Sequence, residues 1–175
     1  ERLAMSLFIE IDDKMNILNS KLEKTVIKSR KQFTYSEVQK IIDNKSGEYF
    51  EDINILNQIT KELRIQRENR GSIDFNIPEP FIKLDTNGVP SDIFQKKRYN
   101  SHRIIEELML LANRLIAEKV LIAKNNNNDG FIFRIHPEPK QDDMDNFFNT
   151  LIRLNLLNKI PSKITSLSLK KILSK

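Results

Sequence analysis

Cysteine is absent from the 175 residues. That excludes disulfides, cysteine-ligated zinc, iron–sulfur clusters and thiol catalysis, and it fits a reducing compartment, so a cytoplasmic location is expected. Glycine is nearly as scarce. The four glycines, Gly47, Gly71, Gly88 and Gly130, stand too far apart to write a phosphate-cradling loop or a dinucleotide fingerprint. His102 and His136, the two histidines, are likewise too distant in sequence for a local H-E-x-x-H metal motif. No apolar run approaches the ~20 residues of a bilayer span. With 30% charged residues and a mean hydropathy of −0.47, no membrane association is expected. The sequence opens at Glu1 with neither an initiator methionine nor a secretory h-region. A processed or excised piece of a longer polypeptide is the expectation.

What is present suits one domain, at ~150 residues per domain, and 39% hydrophobic residues are enough to fill a core. Lys and Arg total 29 against 24 Asp and Glu, a net charge of +5, and the pI is near 9.3. That excess is modest, so its clustering matters more than its size. Lys28, Arg30 and Lys31 form one knot. Lys61, Arg64, Arg67 and Arg70 recur every third residue along one helix. Lys96, Lys97 and Arg98, with His102 and Arg103, form another. A solvated helical face explains each knot taken singly. Their proximity in sequence to Phe33, Tyr35, Phe75 and Tyr99 favours nucleic acid, because phosphates need cations and splayed bases need π-faces.

Periodicity gives the elements. Residues 3–11 and 17–27 read as an antiparallel hairpin about the turn Asp12-Asp13-Lys14, with alternation at Leu18, Leu22 and Val26. The Asp12–Asp13 pair is read as a turn rather than a catalytic dyad. Thr34-Tyr-Ser-Glu37 matches a capping box opening a helix over 35–43. Ile53, Leu56, Ile59 and Leu63 set an amphipathic helix over 49–69, stopped by Gly71. Phe81–Leu84 and Asp92–Phe94 flank the turn dipeptide Asn87-Gly88. Ser101 is placed to cap a helix over 102–124. On it Ile104, Leu108, Leu111 and Leu115 form one row, and Ile105, Met109, Ala112 and Ile116 the next, an arc wide enough for a buried helix. Residues 131–135 read as a strand, 141–157 as a helix with Phe147, Phe148, Leu151 and Leu154 at core spacing, and 164–173 as a short helix. Asp142, Asp143 and Asp145 suit the first turn of the 141–157 helix; a metal site there is the alternative. The resulting fold class is α+β, with antiparallel hairpins packed around a long buried central helix and further helices outside.

Five strings carry a family resemblance: ERLAMS (1–6), TYSEVQ (34–39), GSIDF (71–75), SHRIIEELMLLAN (101–113) and FRIHPEP (133–139). In this order and at this spacing, the chain resembles part of the catalytic RNB domain of the ribonuclease II and ribonuclease R family. The resemblance covers residues 1–157 and leaves 158–175 as a short helical tail. It implies processive 3′→5′ hydrolysis of single-stranded RNA to nucleoside monophosphates at a magnesium site. By position, Tyr35 matches the family tyrosine near the 3′-terminal nucleotides, and Phe75 the aromatic stacked on the last base. Glu106 matches the acidic residue near the terminal ribose, with Glu107 an equally good candidate chemically. Arg64, Arg67, Arg70 and Arg103 are candidate phosphate contacts. Tyr35 and Phe75 also suit simple packing roles.

The family's catalytic aspartates belong to a motif upstream of the stretch matched by Glu1. No catalytic residue and no metal ligand is therefore assigned in this chain. The magnesium ligands are expected in flanking segments of the same enzyme, and the chain by itself is expected to be inactive. A non-catalytic RNA-binding protein and a protein-interaction domain, the latter docking an acidic partner on helix 49–69, are the alternatives.

Overall fold

The computed structural model describes residues 1–74, 80–95, 97–124, 131–161 and 164–173. Their elements, in chain order, are β1 (Arg2–Ile11), β2 (Ile17–Ile27), α1 (Tyr35–Asn44), α2 (Phe50–Asn69), β3 (Pro80–Leu84), β4 (Pro90–Gln95), α3 (Asn100–Lys124), α4 (Gln141–Arg153) and α5 (Ser166–Leu173). The α+β class is as expected. The chain divides into two compact units, residues 1–64 with 75–119, and residues 65–74 with 120–175.

In the first unit, β1 and β2 pair antiparallel from Arg2↔Ile27 to Ile11↔Ile17, with a register shift at Glu10/Ile11. Asp12 closes the turn, accepting the backbone N–H groups of Lys14 and Asn16 at 2.9 and 2.7 Å and the Asn16 amide at 2.9 Å. These bonds hold its carboxyl below the usual carboxylate range, those from Asn16 contributing most. Asp12 is thus a turn residue. Strand alternation turns Leu7 and Ile9 of β1 toward the helices, where with Ile17 and Ile59 they surround the buried Leu63, Leu111 and Leu115. Leu18, Leu22 and Val26 share a strand face, and that face is exposed. The Lys119 ammonium donates to the Ser20 carbonyl at 2.5 Å, tying α3 to β2.

β3 and β4 pair antiparallel, with Phe81 opposite Phe94 and their rings 4.9 Å apart. Their turn runs through Asn87-Gly88. Asp85 accepts the N–H groups of Asn87 and Val89 at 2.8 and 2.9 Å, and Gly88 takes φ +79°, which a side chain would disfavour.

On α3 the buried apolar residues include Ile104, Leu111 and Leu115, whereas Ile105 and Met109 are exposed. The row at positions 104, 111 and 115 faces the core. The neighbouring row, about 100° around the helix, is exposed at Ile105 and Met109 and half-buried at Ala112 and Ile116.

In the second unit Phe148 is 1% exposed and Leu151 is buried. Gly71 takes φ +99°, and a Cβ there would lie 3.0 Å from both the Leu167 nitrogen and the Ser166 Cβ, so the approach of α5 requires glycine. The Lys170 ammonium donates to the Glu68 carbonyl at 2.9 Å.

Two expectations are corrected. Helix α4 ends at Arg153 rather than 157. Asn155 takes the left-handed conformation, φ 56°, and the N–H groups of Leu154 and Leu156 close on the carbonyls of Thr150 and Leu151, each at 3.0 Å. Asparagine tolerates that conformation and ends the helix, which leaves Leu154 exposed rather than in the core. Residues 131–135 form no strand. A strand needs a ladder partner, none of the described strands pairs with this stretch, and Ile132 is 96% exposed.

Candidate functional site

Tyr35 owes its place to the capping box. The Thr34 hydroxyl accepts the Glu37 N–H at 3.3 Å, and the Glu37 carboxylate accepts the Thr34 N–H at 2.7 Å. This start fixes Tyr35 as the first helical residue of α1. The residue remains 46% exposed.

Hydrogen bonds to Glu37, the Thr34 backbone N–H foremost and its hydroxyl next, hold the carboxyl below its ordinary value. A depressed folded pKa contributes stability above the unfolded pKa, and that stability is lost as pH falls through the folded value. Glu37→Gln should therefore matter most near neutrality. Urea midpoints of the two proteins, followed from about pH 6 to about pH 3, should converge. A constant gap would show that the carboxylate charge contributes nothing.

The first turn of α3 grips Tyr35 twice. Ser101, 2% exposed, donates its hydroxyl to the Tyr35 carbonyl at 2.8 Å, and its N–H goes to the Gln39 side chain at 3.3 Å. Ser101 is thus not the cap of α3, which begins at Asn100. It joins α3 to α1. The neighbouring His102 stacks its imidazole on the Tyr35 ring, centroids 4.0 Å apart and planes 17° apart. Tyr99 also stacks on His102, at 5.6 Å and 24°. The Tyr99 backbone N–H donates to His102 Nδ1 at 3.2 Å, so in the neutral ring the proton sits on Nε2. The Lys97 ammonium lies 5.9 Å from the centre of the Tyr99 ring.

Glu106 follows His102 by four residues, hence on the same face of α3 one turn on. Its carboxylate meets the Arg98 guanidinium at 2.6 Å, and both side chains are partly exposed. Glu107 is 4% exposed. Of the two acids, Glu106 is the one solvent reaches, and its remaining lone pairs can accept from a hydroxyl. Arg103 is half-buried, and its Nε is enclosed without a hydrogen-bond partner among the described residues. A buried unsatisfied donor costs about 1–3 kcal/mol, and an anion oxygen would satisfy it.

Tyr35, Arg103 and Glu106 all lie in the first unit, on α1 and the first two turns of α3. Arg64, half-buried on α2, belongs to that unit as well. Arg67 and Arg70 fall in the second unit. There Arg67 donates to the Ser72 hydroxyl at 2.5 Å, and Arg70 Nε to the Gln66 carbonyl at 3.3 Å. Lys31 of the first knot pairs with Glu48, a hydrogen bond that holds its ammonium above the ordinary lysine range. Phe75 lies outside the described residues. Sequence reasoning missed His102 as a stacking surface and counted it only among the basic residues. The spacing His102–Glu106, one helix face, with Tyr99 just before the helix, was the available signal.

Among the described residues, no group of three or more His, Asp or Glu is placed to hold a metal ion. Asp142 and Asp143 are exposed in the first turn of α4. Asp145 bonds the Gln141 amide at 2.9 Å. These residues do not fit a magnesium site. Nor is any described helix long and apolar enough to cross a membrane.

Comparison with known proteins gives a consistent answer. The RNB domain family matches residues 1–175. Ribonuclease R of Thermotoga maritima is 32% identical over 182 residues, covering 100% of this chain and 25% of its own length. Ribonuclease R 2 of Lactococcus lactis is 32% identical over 151 residues, covering 81% and 22%. The structure of Mycoplasma genitalium RNase R in complex with ribose methylated single-stranded RNA superimposes with a TM-score of 0.84 at 26% identity, covering 99% of this chain and 27% of that one. The chain thus spans about a quarter of the length of these relatives. A match over every residue, with five motif strings in order and the same fold, makes this chain a member of the RNB domain family.

Proposed function

We propose that this chain forms part of the RNA-binding channel of a 3′→5′ exoribonuclease that hydrolyses single-stranded RNA to nucleoside 5′-monophosphates. The observation that carries the proposal is the half-exposed Tyr35, its carbonyl held by Ser101 and its ring stacked on His102, with Glu106 on the same face of α3 as His102. A ring held in this way stacks on any base, a sequence-tolerant contact. A carboxylate one helical turn beyond the stacked imidazole accepts a hydrogen bond from a 2′-hydroxyl, which DNA lacks.

In this reading Tyr35 and Phe75 hold the terminal nucleotides, Glu106 reads the ribose, and Arg103 and Arg64 meet phosphates. Arg67 and Arg70, already bonded within their own unit, make weaker contributions. In this reading the magnesium ion of the reaction is held by carboxylates in flanking segments of the same enzyme, so the chain binds RNA without cutting it. The Mycoplasma relative, solved with single-stranded RNA, supports RNA as the partner.

A 5′-labelled single-stranded oligonucleotide tests the proposal with the 175-residue chain. Binding should favour RNA over DNA of the same sequence. It should weaken steeply with salt, with a log–log slope of about −0.7 per phosphate neutralised. Added magnesium should release no mononucleotide. Equal affinity for DNA would remove the ribose-reading role of Glu106. A flat salt response would exclude phosphate contacts, and mononucleotide release would overturn the inactivity.

A further inference from the structure

We propose that His102 is the positioning residue of the nucleotide clamp, an internal stacking partner that occupies one face of Tyr35 and leaves the other to the RNA. The inference rests on the RNA-binding reading above and adds to it a residue that need not touch the nucleic acid.

An exposed tyrosine has two soft side-chain torsions and samples several rotamers. A nucleotide that stacks on such a ring must first immobilise it, which costs affinity. Here the ring meets an aromatic plane before any ligand arrives. The imidazole lies 4.0 Å away and within 17° of parallel, a close stack of the two rings. The imidazole is itself oriented. Its Nδ1 accepts the Tyr99 N–H, and the Tyr99 ring stacks on it. Below the ring, the Tyr35 carbonyl is fixed by the buried Ser101 hydroxyl. The tyrosine is thus held at both ends by two consecutive residues of α3, at its backbone by Ser101 and at its ring by His102. With one π-face occupied, a base or ribose has a single side from which to approach, and that sets the direction in which the strand enters.

The sequence offers a clean readout, because tyrosine occurs three times, at Tyr35, Tyr49 and Tyr99. Incorporated 3-fluorotyrosine gives one fluorine resonance for each, assigned by single Tyr→Phe variants. His102→Leu keeps the bulk and removes the plane, whereas His102→Phe keeps the plane and removes the acceptor. The Tyr35 resonance should shift in His102→Leu as the ring current is lost and return toward its wild-type position in His102→Phe. The Tyr49 resonance, whose ring packs on Phe33, reports that the fold is intact. Affinity for a single-stranded RNA oligonucleotide should fall about three- to tenfold in His102→Leu and recover in His102→Phe. A merely structural histidine would shift the Tyr35 signal through its ring current but leave RNA affinity unmoved in His102→Leu, and that result also overturns the positioning role. Wild-type protein that binds RNA, with the Tyr35 resonance and affinity unmoved in His102→Leu, overturns the positioning role and leaves the RNA reading standing. Wild-type protein that shows the Tyr35 shift on substitution but has no affinity for RNA overturns the RNA reading, and the role of His102 in it.

Discussion

Tyr35→Ala should weaken binding of a single-stranded RNA oligonucleotide by about tenfold or more, whereas Tyr35→Phe should retain most of it. Stacking of a base on an aromatic side chain is worth about 1–3 kcal/mol by alanine substitution, so one ring removed accounts for a loss of that order. Alanine leaves intact what holds the site together. The Tyr35 carbonyl still accepts from Ser101, and the Thr34–Glu37 box still starts α1. Alanine also suits a helix, so α1 keeps its stability and the change in affinity reports the ring. Phenylalanine retains the π-face and its contact with His102. Equilibrium binding by anisotropy, with far-ultraviolet circular dichroism as the fold control, checks the pair. Unchanged affinity in Tyr35→Ala would exclude the ring from the RNA path. Equal losses in both variants would transfer its role from the face to the hydroxyl.

Where structure is decided within a few residues, the sequence was readable. The capping box at Thr34–Glu37, the Asp12 turn and the Asn87-Gly88 turn each depend on groups within one turn of chain, and each stands where its residues place it. Readings that needed a partner from elsewhere fared worse. Residues 131–135 have strand composition, but no described strand pairs with them. Leu154 has helical spacing, yet the left-handed Asn155 ends the helix before it.

The same division runs through the site. Tyr35 and Glu106 were singled out through the family strings. The link that joins them was not, because Ser101 bonds across 66 residues of sequence and His102 stacks on Tyr35 across a similar span. A serine just before an apolar helix reads as a cap, and only the fold reveals that its hydroxyl is spent on another helix. Charge was the least legible property. Arg67, Arg70, Lys31 and Arg98 look alike in sequence as cations, but each already has a local partner. The buried Nε of Arg103, without such a partner among the described residues, is the more telling basic group.

Leu111→Ala should destabilise the chain by about 2–5 kcal/mol while leaving RNA affinity within about twofold at temperatures below the unfolding transition. Leu111 is buried with Leu63 and Leu115, against Leu7, Ile9, Ile17 and Ile59. Its side chain therefore joins α2 and α3 to the β1–β2 hairpin, and truncation opens a cavity among all of them. Measured against the 5–15 kcal/mol typical of a folded domain, that is a large fraction, and it should appear as a marked drop in the urea midpoint. Binding should be spared because of where the residues sit around α3. At 100° per residue, Ile104, Leu111 and Leu115 fall within about 40° of one another. His102 and Glu106 lie about 160° from Ile104 on either side, so one face of the helix meets the core and the opposite face carries the stack and the carboxylate. A cavity under the first face removes packing without moving the second, as long as the helix itself remains formed. Should Leu111→Ala instead abolish RNA binding at full helicity, the two faces would be coupled, and the placement of Tyr35 would depend on the core rather than on Ser101 and His102.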